Sequence, residues 1–144
     1  MVFYEPKWTE NIGTAVRSAH CFGADFIGVI GPRYNKQASD TMATERHVPI
    51  VQYSDMADFL AHLPVGCEVV SLEMDGAIPL ENFVHPQSVV YLVGGEDRTL
   101  PKVRNETRVK IKTTHCLNVA VAASIIMYDR NQKALMTPKP KRPK

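Results

Sequence analysis

Three polar clusters hold the residue types in this 144-residue chain that could do chemistry. The first, Glu10-Asn11-Ile12-Gly13-Thr14-Ala15-Val16-Arg17, offers an amide and, six positions on, a guanidinium. The second, Val93-Gly94-Gly95-Glu96-Asp97-Arg98-Thr99-Leu100-Pro101, pairs two glycines with the carboxylate of Glu96. Glycines in tandem let backbone N–H groups approach a ligand closely, but this pair fits neither GxGxxG nor a P-loop, so nucleoside triphosphate binding is poorly supported. The third, Thr113-Thr114-His115-Cys116-Leu117-Asn118, combines a thiol with an amide. Taken singly, these residues have bland readings. Arg17 suits a surface ion pair, Asn11 and Asn118 suit helix caps, Glu96 divides between an ion pair and an active-site brace, and Cys116 suits a small packed position. Cys21, Cys67 and Cys116 form no CxxC pair, which argues against a disulfide framework or a zinc site, and no metal is expected. His20, His47, His62 and His85 are scattered and suggest no site.

Short apolar runs alternating with helical patterns must position these clusters, and that alternation predicts a single-domain α/β fold with a mostly parallel sheet flanked by helices. Residues 2–4 form a first strand. Ile12, Ala15, Val16, Ala19 and Phe22 recur at helical spacing over 11–22, with Gly23 as the stop and Thr14, Arg17, Ser18 and Cys21 on the opposite side. A strand covered on both faces is predicted at 26–30. A loop with one helical turn follows at 33–49, then a helix over 54–62 capped by Ser54 with Met56, Phe59, Leu60 and Leu63 inward. Strands are expected at 68–72, at 89–93 and at 108–112, the last with outward cations and inward Val109 and Ile111. The final helix, 117–132, is apolar nearly all round and is expected to lie both under the sheet and in a subunit interface.

The bulk properties set the remaining bounds. Net charge is +2, too small by itself to announce a nucleic-acid partner. The last eight residues hold four cations, three prolines and no acid. They read as a disordered basic tail, 137–144, after a domain of 1–136, and serve either solubility or RNA contact. No membrane-spanning run and no secretory pattern is visible, so a cytoplasmic protein is the default. In open α/β sheets ligands sit beyond the carboxyl ends of strands, where all three clusters fall.

Taken in order, the three clusters resemble the three motifs of the SPOUT methyltransferases, specifically the SpoU/TrmH branch. Asn11, Gly13 and Arg17 match the first motif, Gly94, Glu96, Leu100 and Pro101 the second, and Leu117-Asn118 with the small-residue run from Val119 to Ala123 the third. Thr99 stands where that family usually has Gly, Cys116 where it has Ser, and the loop between Ile111 and Cys116 is shorter. The resemblance implies a C-terminal trefoil knot, a homodimer, and S-adenosylmethionine held by Leu72, Gly94, Gly95, Ile111, Cys116 and Leu117, largely through backbone groups. It implies Arg17 as catalytic arginine, with Asn11, Asn118 and Glu96 beside it, acting on an RNA ribose 2′-hydroxyl. The minimal length resembles the branch that methylates the tRNA wobble ribose, with ribosomal RNA next. Two other readings stay open: a SPOUT-like RNA-binding module without catalysis, and an unrelated flavodoxin-like or small-molecule-binding protein.

Overall fold

The computed structural model describes residues 1–7, 9–95 and 98–136; the basic tail at 137–144 and Glu96 lie outside the described residues. Seven strands form one sheet among the described residues: β1 (Val2–Tyr4), β2 (Ile27–Ile30), β3 (Ile50–Tyr53), β4 (Glu68–Leu72), β5 (Ile78–Pro79), β6 (Val89–Gly94) and β7 (Thr107–Lys110). Their order is β3-β2-β1-β6-β4-β7-β5, and every pairing is parallel. The helices are α1 (Thr9–Cys21), α2 (Met56–Ala61) and α3 (Val119–Met136). No helix among the described residues is long and apolar enough to cross a membrane.

The apolar runs are continuous because both faces of the sheet are covered. With a side-chain period of two, Val2, Val90 and Leu92 join Phe59 of α2 in one cluster. Phe3, Tyr91 and Val93 join Ile12, Ala15 and Ala19 of α1 and Ala120, Ala123 and Ile126 of α3 in the other. The facing alanines let the two helices pack closely. Gly23 ends α1 with φ 77°, its N–H bonded to the His20 carbonyl at 3.0 Å and the Ala24 N–H to the Ala19 carbonyl at 2.9 Å.

Several expectations are corrected. Asp55, not Ser54, caps α2: its carboxylate accepts the Asp58 N–H at 2.8 Å, while Asp58 accepts the Ser54 N–H at 2.8 Å. This reciprocal arrangement satisfies two donors and leaves Ser54 outside the helix. Leu60 is exposed rather than inward, because a six-residue helix turns only one narrow face to the sheet. β3 and β5 fall where no strand was expected; both are short sheet edges, with too few inward residues to write a pattern. The strand expected at 108–112 is Thr107–Lys110, and Arg108 does not face solvent: its side chain is 12% exposed, beside Glu106 at 6%. The last helix starts two residues later than expected and runs four further. It buries Val119, Ala120, Ala123, Ile126 and Met127 but leaves Val121 and Tyr128 exposed.

His85, to which the sequence assigns nothing, is buried between elements. Its Nδ1 lies 2.6 Å from the Tyr91 hydroxyl and its Nε2 2.7 Å from Asp129 of α3. Burial pushes its pKa below the ordinary imidazole value, against the pull of Asp129. Arg130 donates to the Pro86 and Gln87 carbonyls at 2.7 and 2.8 Å, so α3 is tied to the connection that precedes β6.

β7 lies between β4 and β5, although those two strands are consecutive in the chain. The connection from β4 to β5 therefore crosses β7, and a late strand seated between two earlier ones is what the expected threading requires. Gly76 marks the crossing: a Cβ there would fall 2.4 Å from the Val109 carbonyl carbon and 2.7 Å from the Lys110 nitrogen. Backbone cannot rotate away as a side chain can. Gly76→Ala is expected to destabilise the fold by about 1–3 kcal/mol, the usual cost of overpacking. A thermal melt checks this, and an unshifted transition would mean the crossing has slack.

Candidate active site

The carboxyl ends of β4 and β6, the residues after β7 and the start of α3 enclose a cleft of about 490 Å³. That volume is within the ordinary range for a cofactor-sized ligand. All six residues expected to hold the cofactor line it: Leu72, Gly94, Gly95, Ile111, Cys116 and Leu117. Val93, Val119 and Ala122 add apolar wall, while Glu73, Asp75 and Arg98 supply charge. Gly95 is held by its own N–H, which donates to the Tyr4 carbonyl at 2.8 Å. A Cβ at Gly95 would lie 2.3 Å from the Glu5 carbonyl oxygen, so glycine is required for β1 and this wall to meet. On the opposite wall Cys116 is exposed, its Sγ 2.9 Å from Met74 Sδ.

The first motif lies elsewhere. Gly13 is where the loop after β2 crosses α1: a Cβ would fall 2.1 Å from Ser39 Oγ, and that hydroxyl donates to the Glu10 carbonyl at 2.9 Å. The small residue of this motif is thus a packing requirement. Arg17, one turn on, is exposed and has no hydrogen bond or ion pair among the described residues. Among the described residues, none of α1 lines the cofactor-sized cleft.

Asn11 and Asn118 do come together, but in a different place. They border an open groove of about 690 Å³ between α1 and α3, whose floor is Phe22, Val121, Ile125 and Tyr128. Asn118 also caps α3, its Oδ1 accepting the Ala120 N–H at 2.9 Å, so the structural reading holds for it whatever else it does. Within one chain, then, the second and third motifs meet at the cleft, the first and third meet at the groove, and Arg17 borders neither. Glu96 lies outside the described residues.

A cluster that sequence reasoning missed stands behind the cleft. Arg108 of β7 donates from Nε to Glu106 at 2.7 Å, from Nη1 to Asp75 at 3.2 Å and from Nη2 to the Leu100 carbonyl at 2.9 Å. Glu106 also accepts the Ser71 hydroxyl and the Val103 N–H, and these donors, with Arg108, outweigh burial and hold its carboxyl below the usual range. Glu73, one residue past β4, accepts the Leu100 N–H at 2.6 Å. Burial raises its carboxyl above the ordinary value, against the opposing pull of that N–H and of Arg108. The sequence signal for this cluster is slight, two acids, Glu73 and Asp75, just after β4.

Comparison with known proteins places the architecture. A structure described in terms of the 2-OH methylation of C/U34 on tRNA superposes with a TM-score of 0.80 at 24% identity, over 94% of this chain and 95% of that one. The SpoU methyltransferase AviRb from Streptomyces viridochromogenes, solved with AdoMet, gives 0.85 at 21% identity over 94% of this chain and 60% of its own. A TrmH/SpoU tRNA modifying enzyme of A. aeolicus gives 0.78 at 18% identity over 99% and 81%. Curated protein sequences show no match. The model of the SpoU rRNA methylase family matches residues 1–128, nearly the whole described chain, and the protein belongs to that family.

Proposed function

We propose that this chain transfers a methyl group from S-adenosylmethionine to a ribose 2′-hydroxyl of RNA, with tRNA favoured over ribosomal RNA, and that it works as a homodimer. The observation that carries this reading is the cleft: Gly94 and Gly95 of the second motif and Cys116 and Leu117 of the third line one cavity of suitable size with Leu72 and Ile111, at the carboxyl edge of the sheet. Leu72, Ile111 and Leu117 offer apolar contact for a purine, and the Gly94-Gly95 backbone can come close to it. The negative charge of Asp75 suits a cationic ligand. The likeness to AviRb with AdoMet, and to the structure concerned with tRNA position 34, supports the choice of donor and acceptor.

When bound, S-adenosylmethionine supplies an electrophilic methyl on a sulfonium whose departure as a neutral thioether needs no acid. The demands on the protein are alignment, exclusion of water and management of the hydroxyl proton. An arginine guanidinium keeps its proton in proteins, so Arg17 serves to stabilise negative charge growing on the ribose oxygen and to hold a phosphate. Asn11 and Asn118 orient the ribose by amide hydrogen bonds. Because Arg17 does not line the cleft of its own chain, a second copy seated on the α1–α3 groove brings Arg17 to it. Exposed Val121 and Tyr128 are the apolar surface such a copy would cover.

Calorimetry with S-adenosylmethionine and S-adenosylhomocysteine, followed by radiolabelled methyl transfer mapped across total RNA, tests the reading. Saturable binding and label at ribose oxygens are expected. Failure of both ligands to bind the folded protein would overturn it. Binding without transfer to any RNA would leave an RNA-binding module.

A further inference from the structure

We infer that Glu73 is a positioning residue for the methyl donor, holding the loop that carries Gly94 and Gly95 at a fixed spacing from Leu72. The inference rests on reading the cleft as the cofactor site.

Leu100 ends that loop, and its backbone is gripped on both sides. Its carbonyl receives Arg108 Nη2 at 2.9 Å and its N–H donates to Glu73 Oε1 at 2.6 Å. Its side chain is 3% exposed, packed among Val2, Ile30, Val90 and Leu92 on the face opposite α1. The far end of the loop touches its beginning, since a Cβ on Gly94 would lie 2.9 Å from the Arg98 carbonyl oxygen and 3.4 Å from Leu100 Cγ. A shift at Leu100 is therefore passed to Gly94. Glu73 belongs to the other wall, following Leu72 and lining the cleft itself. Its bond to Leu100 joins the two walls directly.

Stability alone does not call for a carboxylate here. The buried leucine and Arg108 already anchor the loop end, and an amide oxygen would accept the same N–H without a charge to desolvate. Burial raises the Glu73 carboxyl, which means that the folded state holds the ion at a cost. Among the described residues, Arg108 on β7 and Asp75 on the connection after β4 are the charged groups that act on it, and Arg98 lines the same cleft. What joins the two walls is an acceptor that reaches from the Leu72 side to the Leu100 N–H, and the geometry needs that acceptor rather than its charge.

The test is S-adenosylhomocysteine binding to the 144-residue chain by calorimetry, with amide exchange at Leu100 and the KM for S-adenosylmethionine against kcat. Glu73→Ala is expected to weaken binding by roughly tenfold or more, the scale of one lost charge-assisted hydrogen bond, and to raise KM much more than it lowers kcat. Exchange at the Leu100 amide should accelerate while the global melt stays within a few degrees. Glu73→Gln, which keeps an acceptor, should recover most of the affinity. Wild-type affinity in Glu73→Ala overturns the inference. So does a Gln variant as weak as the Ala variant with its Leu100 amide still protected, because the charge and not the spacing would then be at work. Thr113→Trp, which fills the cleft from an exposed position, separates the two readings. Binding lost there but unchanged in Glu73→Ala overturns the positioning role alone, and unchanged binding in both overturns the cleft reading with it.

Discussion

Arg17→Ala is expected to lower single-turnover methyl transfer by about 10²-fold or more, the usual loss when a preorganised charge-stabilising donor is removed. The fold should survive. α1 commits Ile12, Ala15, Val16 and Ala19 to the core, while Arg17 is exposed and makes no hydrogen bond or ion pair among the described residues. Affinity for the methyl donor should barely change, since among the described residues none of α1 lines the cleft. Lysine at this position should recover only part of the rate, because an ammonium keeps the charge but lacks the planar fork that can address an oxygen and a phosphate together. Single-turnover assays of both variants, with cofactor titration and thermal melts, examine each part. Near-normal turnover in folded Arg17→Ala would place the active site elsewhere.

The elements that carry the motifs were legible because each is locally complete. α1 writes its inward face at helical spacing and ends at a glycine with positive φ. β1, β2 and β6 are covered on both faces and so are apolar without interruption, and β4 is broken only by the buried Ser71 and by Glu68 at its exposed start. The cleft residues were legible for another reason: their types recur in a known order, and the structure brings Leu72, Gly94, Gly95, Ile111, Cys116 and Leu117 to one cavity. What escaped depends on the third dimension. Arg108 alternates with Val109 as a wet-face cation would, yet its strand enters between β4 and β5, and there Glu106, Asp75 and the Leu100 carbonyl surround it. Periodicity cannot announce an insertion between strands already paired in sequence. Glu73 and His85 escaped in the same way, as their partners lie 27 and 44 positions along the chain. The separation of Arg17 from the cleft is a further case. The motif order suggested one site, and the fold distributes it over two surfaces.

That distribution gives the sharpest test of the proposed dimer, because two inactive variants should restore activity when mixed. Arg17→Ala keeps an open cleft but lacks the guanidinium, and Thr113→Trp keeps the guanidinium but has its cleft filled. If each active site takes its cleft from one copy and Arg17 from the other, a mixed dimer contains one complete site and one doubly defective one. After free exchange of subunits half the dimers are mixed, so turnover should return to roughly a quarter of the wild-type level, as expected for an isologous pair. A site contained within one chain predicts no recovery, since neither variant holds both parts. The groove supplies the control. Val121 is 47% exposed and lies on the groove floor, so Val121→Glu would oblige the interface to bury an unpaired carboxylate. Introduced into both variants, it should abolish the recovery and shift sedimentation toward monomer. Recovery that persists in a monomer would exclude a shared site.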